Sequence, residues 1–306
     1  MLSVVIPAYS EEQMIPKTAE TVSGILENAD IPYELLFVDD GSKDGTWRAI
    51  QEEARNNSHI KGIHFSRNFG KESAMFAGLA KAKGDCVAIM DCDLQHPAEK
   101  LVEMYHAWEQ GFEVVEGVKE SRGEESKAHG LAAKLFYKFM SDAVGTDMLD
   151  ASDFKLLDRK VVDTLNQMPE RNVFFRALSF WVGYKRTTVS YSVQERTAGE
   201  SKWSTWKLFQ YAITNITSFT SAPMHIVTVL GVIMFVISCI LGIISLVQKI
   251  MGVALGGFTT VILIQLFSGS IIMMSLGIIG YYIAKIYDEI KGRPRYIISE
   301  ICGEDN

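Results

Sequence analysis

The chain has 306 residues, 48% of them hydrophobic, and 30 Lys and Arg against 37 Asp and Glu, for a formal net charge of −7. That length supports one or two domains with a full core, and the acidic balance excludes a nucleic-acid footprint. Cys86, Cys92, Cys239 and Cys302 show neither CxxC nor zinc spacing, which excludes a disulfide framework and fits reduced, unpaired thiols.

In chain order, Ser3–Pro7 predicts a first strand, with the polar loop Ala8-Tyr9-Ser10-Glu11-Glu12 at its carboxyl end. Ile15–Asn28 has helical periodicity. Tyr33–Val38 is a second buried strand ending in Asp39-Asp40-Gly41-Ser42, and Asp44 caps a helix from Trp47 to about Asn56. Ile60–Phe65 predicts a third strand, followed by a polar loop to Lys71 and a helix to Ala82. Val87–Met90 is a fourth strand, Pro97–Gln110 a helix with proline in its first turn, and Phe112–Val118 a fifth strand. Alternating buried strands and helices predict a mostly parallel, Rossmann-like α/β sheet wound on both faces. Beyond it, Leu131, Leu135, Phe136 and Phe139 share a helical face, open to reading as a surface helix or as an amphipathic segment on lipid. Arg159–Gln167 predicts a helix, Val173–Val182 is apolar and aromatic, and Thr187–Gln194 alternates as a strand does.

The fourth strand ends in Asp91-Cys92-Asp93-Leu94-Gln95-His96-Pro97. By itself Asp-x-Asp also fits a solvated turn. Here, however, three strand ends deliver polar groups: Tyr9 with Glu11, Asp39 with Asp40, and Asp91 with Asp93. Parallel neighbours bring such ends to one rim, where open α/β sheets bind ligands. Acids gathered there repel one another unless a cation or ligand intervenes, and Asp-x-Asp suits a hard divalent cation holding substrate phosphates.

Residues 226–247 and 250–284 carry no charge. Two helices of roughly 33–36 Å are expected, each long enough to cross a bilayer. Lys202 and Lys207 precede the first span, Lys285, Lys291, Arg293 and Arg295 follow the second, and the connector carries only Lys249. The positive-inside rule places both ends in the cytoplasm. No signal-peptide pattern precedes Leu2–Pro7, so the first 224 residues are expected to stay cytoplasmic. Residues 1–154 hold 15 basic against 27 acidic residues, whereas residues 155–207 hold 10 against 5. The basic part lies next to the membrane, where anionic headgroups or a phosphate-bearing lipid favour it. Trp203–Phe219 reads as an interfacial helix.

The segments VVIPAYSEE (4–12), FVDDGSKDGT (37–46), FSRNFGKESAMFAGLAKAKGD (65–85), DCDLQHP (91–97), SDFKLLDRKVVD (152–163) and QERTAGESKW (194–203) occur in order over nearly the whole chain. Together they resemble the membrane-bound inverting glycosyltransferases of family 2, of GT-A fold, that load sugars onto polyprenyl phosphate. That group includes dolichyl-phosphate mannose synthases and bactoprenol glucosyltransferases, and the paired carboxy-terminal spans resemble the latter. The resemblance implies a GT-A domain over residues 1–200, juxtamembrane interfacial helices over 201–224, a transmembrane hairpin over 225–285 and a cytoplasmic tail over 286–306.

It also implies residue roles. Pro7, Ala8, Tyr9 and Glu11 line the nucleotide pocket, with Tyr9 near the base; Asp39 takes the uracil or ribose side, and Lys71 helps hold the nucleotide. Asp91 and Asp93, joined by Gln95, hold Mg²⁺ or Mn²⁺ against the diphosphate, which makes Asp93 catalytic as well. Asp153 matches the catalytic acidic position, and Arg176, Arg196, Ser201 and Lys202 meet phosphate groups. Structural readings stand beside these: Asp40 as a cap of its own turn, Asp153 as a helix cap, Arg176 as a partner of Glu170. His64 and His96 receive no role. Ser10 departs from the Asn that the family often carries.

The expected reaction is transfer of glucose from UDP-glucose to undecaprenyl phosphate with inversion, at the cytoplasmic face of the cell membrane. GDP-mannose, UDP-N-acetylglucosamine, galactose and aminoarabinose donors stay open, and the resemblance allows a homotetramer. A processive polysaccharide synthase is disfavoured by the two spans and by Gln194-Glu-Arg-Thr in place of a Gln-x-x-Arg-Trp motif. A non-catalytic, membrane-anchored nucleotide-sugar-binding protein is disfavoured by the intact acids and Lys202.

Overall fold

The computed structural model describes residues 1–119, 141, 151–168, 170, 174–192, 217, 222–252 and 257–303. Residues 127–140 and 203–216, which carry most of the two amphipathic segments read from the sequence, lie outside the described residues. The chain forms two compact units, Met1–Leu208 with Arg293–Asn306, and Phe209–Gly292.

The first unit is an α/β domain of GT-A-like architecture. Its strands are β1 (Leu2–Ala8), β2 (Tyr33–Asp39), β3 (Ile60–Phe65), β4 (Cys86–Ile89), β5 (Val114–Lys119), β6 (Lys155–Asp158), β7 (Arg186–Tyr191) and β8 (Ile298–Cys302). They form one sheet in the order β7-β5-β6-β4-β1-β2-β3-β8. Its helices are α1 (Met14–Asn28), α2 (Thr46–Asn56), α3 (Lys71–Lys81), α4 (Lys100–Glu109), α5 (Arg159–Gln167) and α6 (Phe175–Trp181).

The sheet is mixed. β1 to β4 are parallel, as the helix–strand alternation predicts. β6 runs against both β4 and β5, and β8 runs against β3. β8 follows the apolar helices, where the sequence reading has a tail; Ile298-Ser-Glu-Ile-Cys302 is short and does not alternate apolar with polar residues, so nothing marks it as a strand without its partner.

Strand periodicity divides the core between the two faces. Leu2, Val4, Ile6 and Ala8 of β1 join one cluster with Ile15, Ala19, Val22 and Leu26 of α1 and Leu101 and Met104 of α4. Full burial of each large aliphatic side chain contributes about 1.5–3 kcal/mol. Val5 points the other way, toward α3. Gly78 makes that approach possible, because a Cβ there would lie 2.2 Å from Val5 Cγ1. All four cysteines are free, and burial pushes the thiols of Cys86 and Cys92 up to about 12.

The second unit contains α7 (Ala222–Ile250) and α8 (Phe258–Ile290). Met224–Ile250 and Ile264–Ile290 are long and apolar enough to cross a membrane. Phe235, Ile243 and Leu266 are among their many exposed apolar side chains.

Gly78→Ala is expected to destabilise the domain by about 1–3 kcal/mol through overpacking, seen as a lower Tm in detergent. Combined with Val5→Ala, the loss is expected to be smaller than the sum of the two single losses. Strict additivity would show that the Val5–Gly78 approach does not limit packing.

Candidate active site

β4, β1 and β2 are parallel neighbours, so their carboxyl ends share one rim. From β1 the chain builds outward through β2 and β3, then returns to β4 on the other side of β1. The crevice between β1 and β4 is therefore a topological switch point. Pairing of β1 with β4 stops at Val5↔Ile89, while β1 runs on to Ala8. Pro7, which has no N–H to donate, sits in that overhang.

The β4 end turns sharply. Leu94 has φ 55°, a left-handed conformation uncommon for residues other than glycine. The Gln95 N–H donates to Asp93 Oδ1 at 3.1 Å and closes the turn. Behind it, His96 stacks on Phe154 with ring centroids 4.8 Å apart and accepts from the Asp91 N–H at 3.4 Å through Nδ1. Burial lowers the His96 pKa, in keeping with a neutral ring acting as acceptor.

Lys71, the first residue of α3, reaches into this rim. Its Nζ lies 2.6 Å from Asp91 Oδ1 and 3.1 Å from Asp153 Oδ2. Arg176 in α6 grips Asp153 with two parallel bonds, Nε to Oδ1 at 2.7 Å and Nη2 to Oδ2 at 2.8 Å, the strong fork geometry of guanidinium and carboxylate. Burial raises the Asp153 carboxyl, but Arg176 and Lys71 outweigh it and hold the group well below the usual carboxylate range. Burial opposes the charge on Lys71 too, yet Asp91 and Asp153 keep its ammonium above the ordinary lysine value. Asp91 and Asp153 are thus neutralised by the protein's own cations. The Arg176–Glu170 pairing and the Asp153 helix cap give way to this cluster.

Supporting residues fix the cluster. Glu72 accepts from the Phe175 N–H at 2.9 Å and so holds the start of the helix that carries Arg176. Burial and the Asp153 charge push the Glu72 carboxyl up to about 8. Glu116 is buried and accepts from the Ser152 N–H at 2.9 Å, from Lys155 Nζ at 2.7 Å and from Arg186 Nη2 at 3.1 Å. It fastens the backbone just before Asp153. Burial lowers the fully enclosed Lys155 to about 8 against the pull of Glu116.

On the β2 side, Asp39 is fully buried. Its Oδ1 accepts from the N–H and hydroxyl of Ser42, and its Oδ2 lies 2.7 Å from His64 Nδ1. Asp40 does not cap its own turn, a correction to the sequence reading. Its two oxygens accept from the N–H groups of Phe69 at 2.6 Å and Gly70 at 2.9 Å, clamping the loop before Lys71. Gly41 (φ 67°) lies against that loop, and a Cβ there would stand 2.3 Å from the Arg67 carbonyl carbon. Tyr9 is 43% exposed at the rim. Glu11 donates its N–H to Thr46 Oγ1 at 2.9 Å. Ser10 has φ 57°, a conformation Asn adopts more readily.

The structure therefore brings together Pro7, Ala8, Tyr9, Glu11, Asp39, Lys71, Asp91, Asp93, Gln95, Asp153 and Arg176 along one rim. Arg196, Ser201 and Lys202 lie outside the described residues. Asp91 and Asp93 offer hard oxygen donors that fit Mg²⁺ or Mn²⁺. Among the described residues no three His, Cys, Asp or Glu side chains gather round one point. A cation there would draw its remaining ligands from substrate and water, the usual habit of Mg²⁺.

Residues 3–165 match the sequence profile described as Glycosyl transferase family 2. The chain belongs to that family. This family 2 glycosyltransferase is 37% identical to the "Uncharacterized glycosyltransferase YkcC" of Bacillus subtilis, over 99% of this chain and 95% of the relative. It is 35% identical to the "Bactoprenol glucosyl transferase" of Shigella phage SfII, over 98% and 97%. Among solved structures, glucosyl-3-phosphoglycerate synthase from Mycobacterium tuberculosis in complex with Mg²⁺ and uridine-diphosphate superposes with a TM-score of 0.49 at 19% identity, covering 65% of this chain and 72% of that one.

Sequence reasoning missed His64, His96, Glu72 and Glu116 in this glycosyltransferase. A lone His or Glu has no spacing signal, and each of these works on a partner 5 to 103 residues away. The one available cue was an acid or imidazole inside an otherwise apolar strand, as with Glu116 in Val114-Val115-Glu116.

Glu72 yields a pH test. A carboxyl whose folded pKa is raised to about 8 contributes stability that is full below its unfolded pKa and is lost as pH rises toward 8. Glu72→Gln keeps an acceptor for Phe175 and removes the titration. The Tm of the variant minus that of the unmodified chain is expected to increase from pH 5 to pH 8; a flat or falling difference would contradict it.

Proposed function

We propose that the protein transfers a hexose, with glucose from UDP-glucose as the preferred donor, to a polyprenyl phosphate such as undecaprenyl phosphate, inverting the anomeric centre. The product is a lipid-linked sugar for cell-envelope glycosylation. The observation that carries this reading is the charge-balanced cluster of Asp91, Asp153, Lys71 and Arg176 at the β1/β4 crevice. Full-length similarity to a bactoprenol glucosyl transferase supports the acceptor class.

In this reading, Tyr9 and the Asp39 loop bound the base, and Pro7, Ala8 and Glu11 line the nucleotide. A phosphate oxygen of the acceptor attacks the anomeric carbon as the bond to the nucleoside diphosphate breaks from the opposite face. Asp91 and Asp93, with Gln95, would hold Mg²⁺ or Mn²⁺, and such an ion supplies charge neutralisation to a departing diphosphate. The acceptor phosphate is already ionised near neutral pH, so little base catalysis is required. Asp153, ionised and bound through both oxygens, is a poor proton acceptor. Its task is to orient Lys71 and Arg176 toward phosphate groups, joined by Arg196, Ser201 and Lys202.

The apolar helices support membrane attachment. Residues on both sides of them belong to one folded unit, which agrees with two crossings and with termini on one face, the cytoplasmic one by charge bias. A homotetramer is compatible with this arrangement.

The test is transfer of radiolabelled sugar to undecaprenyl phosphate in detergent, with UDP-glucose, GDP-mannose and UDP-N-acetylglucosamine compared, with and without Mn²⁺. A metal-dependent lipid product from UDP-glucose is expected. A product from another donor would correct the sugar, and no lipid product from any donor would overturn the reaction. Asp153→Asn is expected to lower turnover at least about 100-fold, the scale of lost transition-state electrostatics, while UDP binding survives. Near-normal turnover would remove Asp153 from the mechanism.

A further inference from the structure

The strand that follows the apolar helices is tied to the rim that carries Asp39. In the β3–β8 ladder, His64 stands opposite Glu300 and Gly62 opposite Cys302. Glu300 Oε2 accepts from the Trp47 indole N–H at 2.9 Å. The indole stacks on His64 with centroids 5.1 Å apart and planes 20° from parallel. Gly62 permits this close packing, since a Cβ there would lie 2.7 Å from Cys302 Sγ and 2.9 Å from the Trp47 ring. Upstream of β8, Tyr296 stacks on Phe65 at 5.1 Å, the Ile297 carbonyl accepts from the Ser66 N–H at 3.0 Å, and Arg295 lies over Phe76.

From His64 the connection continues inward. Nδ1 meets Asp39 Oδ2 at 2.7 Å, the other Asp39 oxygen holds Ser42, and Ser42 Oγ accepts from the Ser10 N–H at 2.9 Å. Ser10 is the left-handed residue directly after Tyr9. An unbroken set of contacts thus runs from Glu300 in the last strand to the backbone beside Tyr9. A buried carboxylate must have its oxygens satisfied, and losing one donor leaves a charged lone pair without compensation. Without His64, Asp39 would be drawn toward other donors, and the Ser42 and Ser10 backbone would move with it.

We propose that His64 is a positioning residue for the nucleotide-base pocket. Trp47 and Glu300 brace its ring, and it fixes Asp39 and thereby the Ser10–Tyr9 backbone. The segment after the second apolar helix is then part of the donor site. This rests on the reading of Tyr9 and the Asp39 loop as the base side of that site.

The full chain in detergent is titrated calorimetrically with UDP and with GDP, in the presence of Mn²⁺. His64→Phe keeps the stack on Trp47 and removes the donor to Asp39; UDP affinity is expected to fall about tenfold, the size of one lost charge-assisted hydrogen bond. His64→Asn, which returns an N–H near the Nδ1 position, is expected to recover most of it. The donor KM should rise with a smaller effect on kcat. Glu300→Ala leaves the His64–Asp39 pair in place and is expected to weaken UDP about threefold; it carries the test if His64→Phe loses its cooperative melt. Unchanged affinity in these variants, while Tyr9→Ala weakens UDP, overturns the role of His64 and leaves the donor site standing. If Tyr9→Ala is also silent, or the unmodified chain binds neither nucleotide, the donor-site reading fails and the proposal with it.

Discussion

The cluster around Asp91 and Asp153 depends on two cations that the protein supplies to its own acids. Asp91 follows β4 and Asp153 precedes β6, and both are held by the one ammonium of Lys71. Arg176 adds a second positive charge on Asp153. Leaving either acid without its cation would place an uncompensated charge at a half-buried site, and breaking a buried pair is far more damaging than the pair's net contribution to stability. The pairing explains how Asp91 and Asp153 can stand side by side before any substrate arrives.

Behind this cluster stand groups that never reach the crevice. Glu116 ties the Asp153 backbone to β5 and β6, Glu72 anchors the helix of Arg176, and Asp40 holds the loop that presents Lys71. His96 steadies the amide of Asp91. A charged side chain is only as well placed as the backbone beneath it, and here each of the four charges of the cluster has a dedicated hydrogen bond under it. This division between outer charges and inner supports is what rigid functional sites require.

Much of this was legible in the residues. Short continuous apolar runs leading into polar, acidic loops marked β1, β2 and β4, and their parallel order followed from the helices between them. Asp91, Asp93 and Asp153 were readable because their motifs are dense and ordered. Partners brought together by folding alone were not legible. Asp40 looked like a local turn residue because its acceptors' donors, Phe69 and Gly70, are about thirty residues away. An element beginning near Asp150 was readable, but not that it is an antiparallel strand, because Lys155-Leu-Leu-Asp158 is short and carries a buried lysine whose partner, Glu116, lies far away in the sequence. β8 was invisible because a five-residue strand has no meaning until its neighbour is known.

That last strand sets an order of events during synthesis. β3 is made near the amino terminus, yet its outer edge is covered by residues that are translated after both apolar helices. Throughout elongation, the N–H and C=O groups of that edge stay open to water or to any passing strand. The domain emerges first and is closed last, so its sheet is complete only once Ile298–Cys302 has been made. A chain that stops within the helices would carry nearly all of the acids and cations described above, but it would retain an adhesive edge beside Asp39.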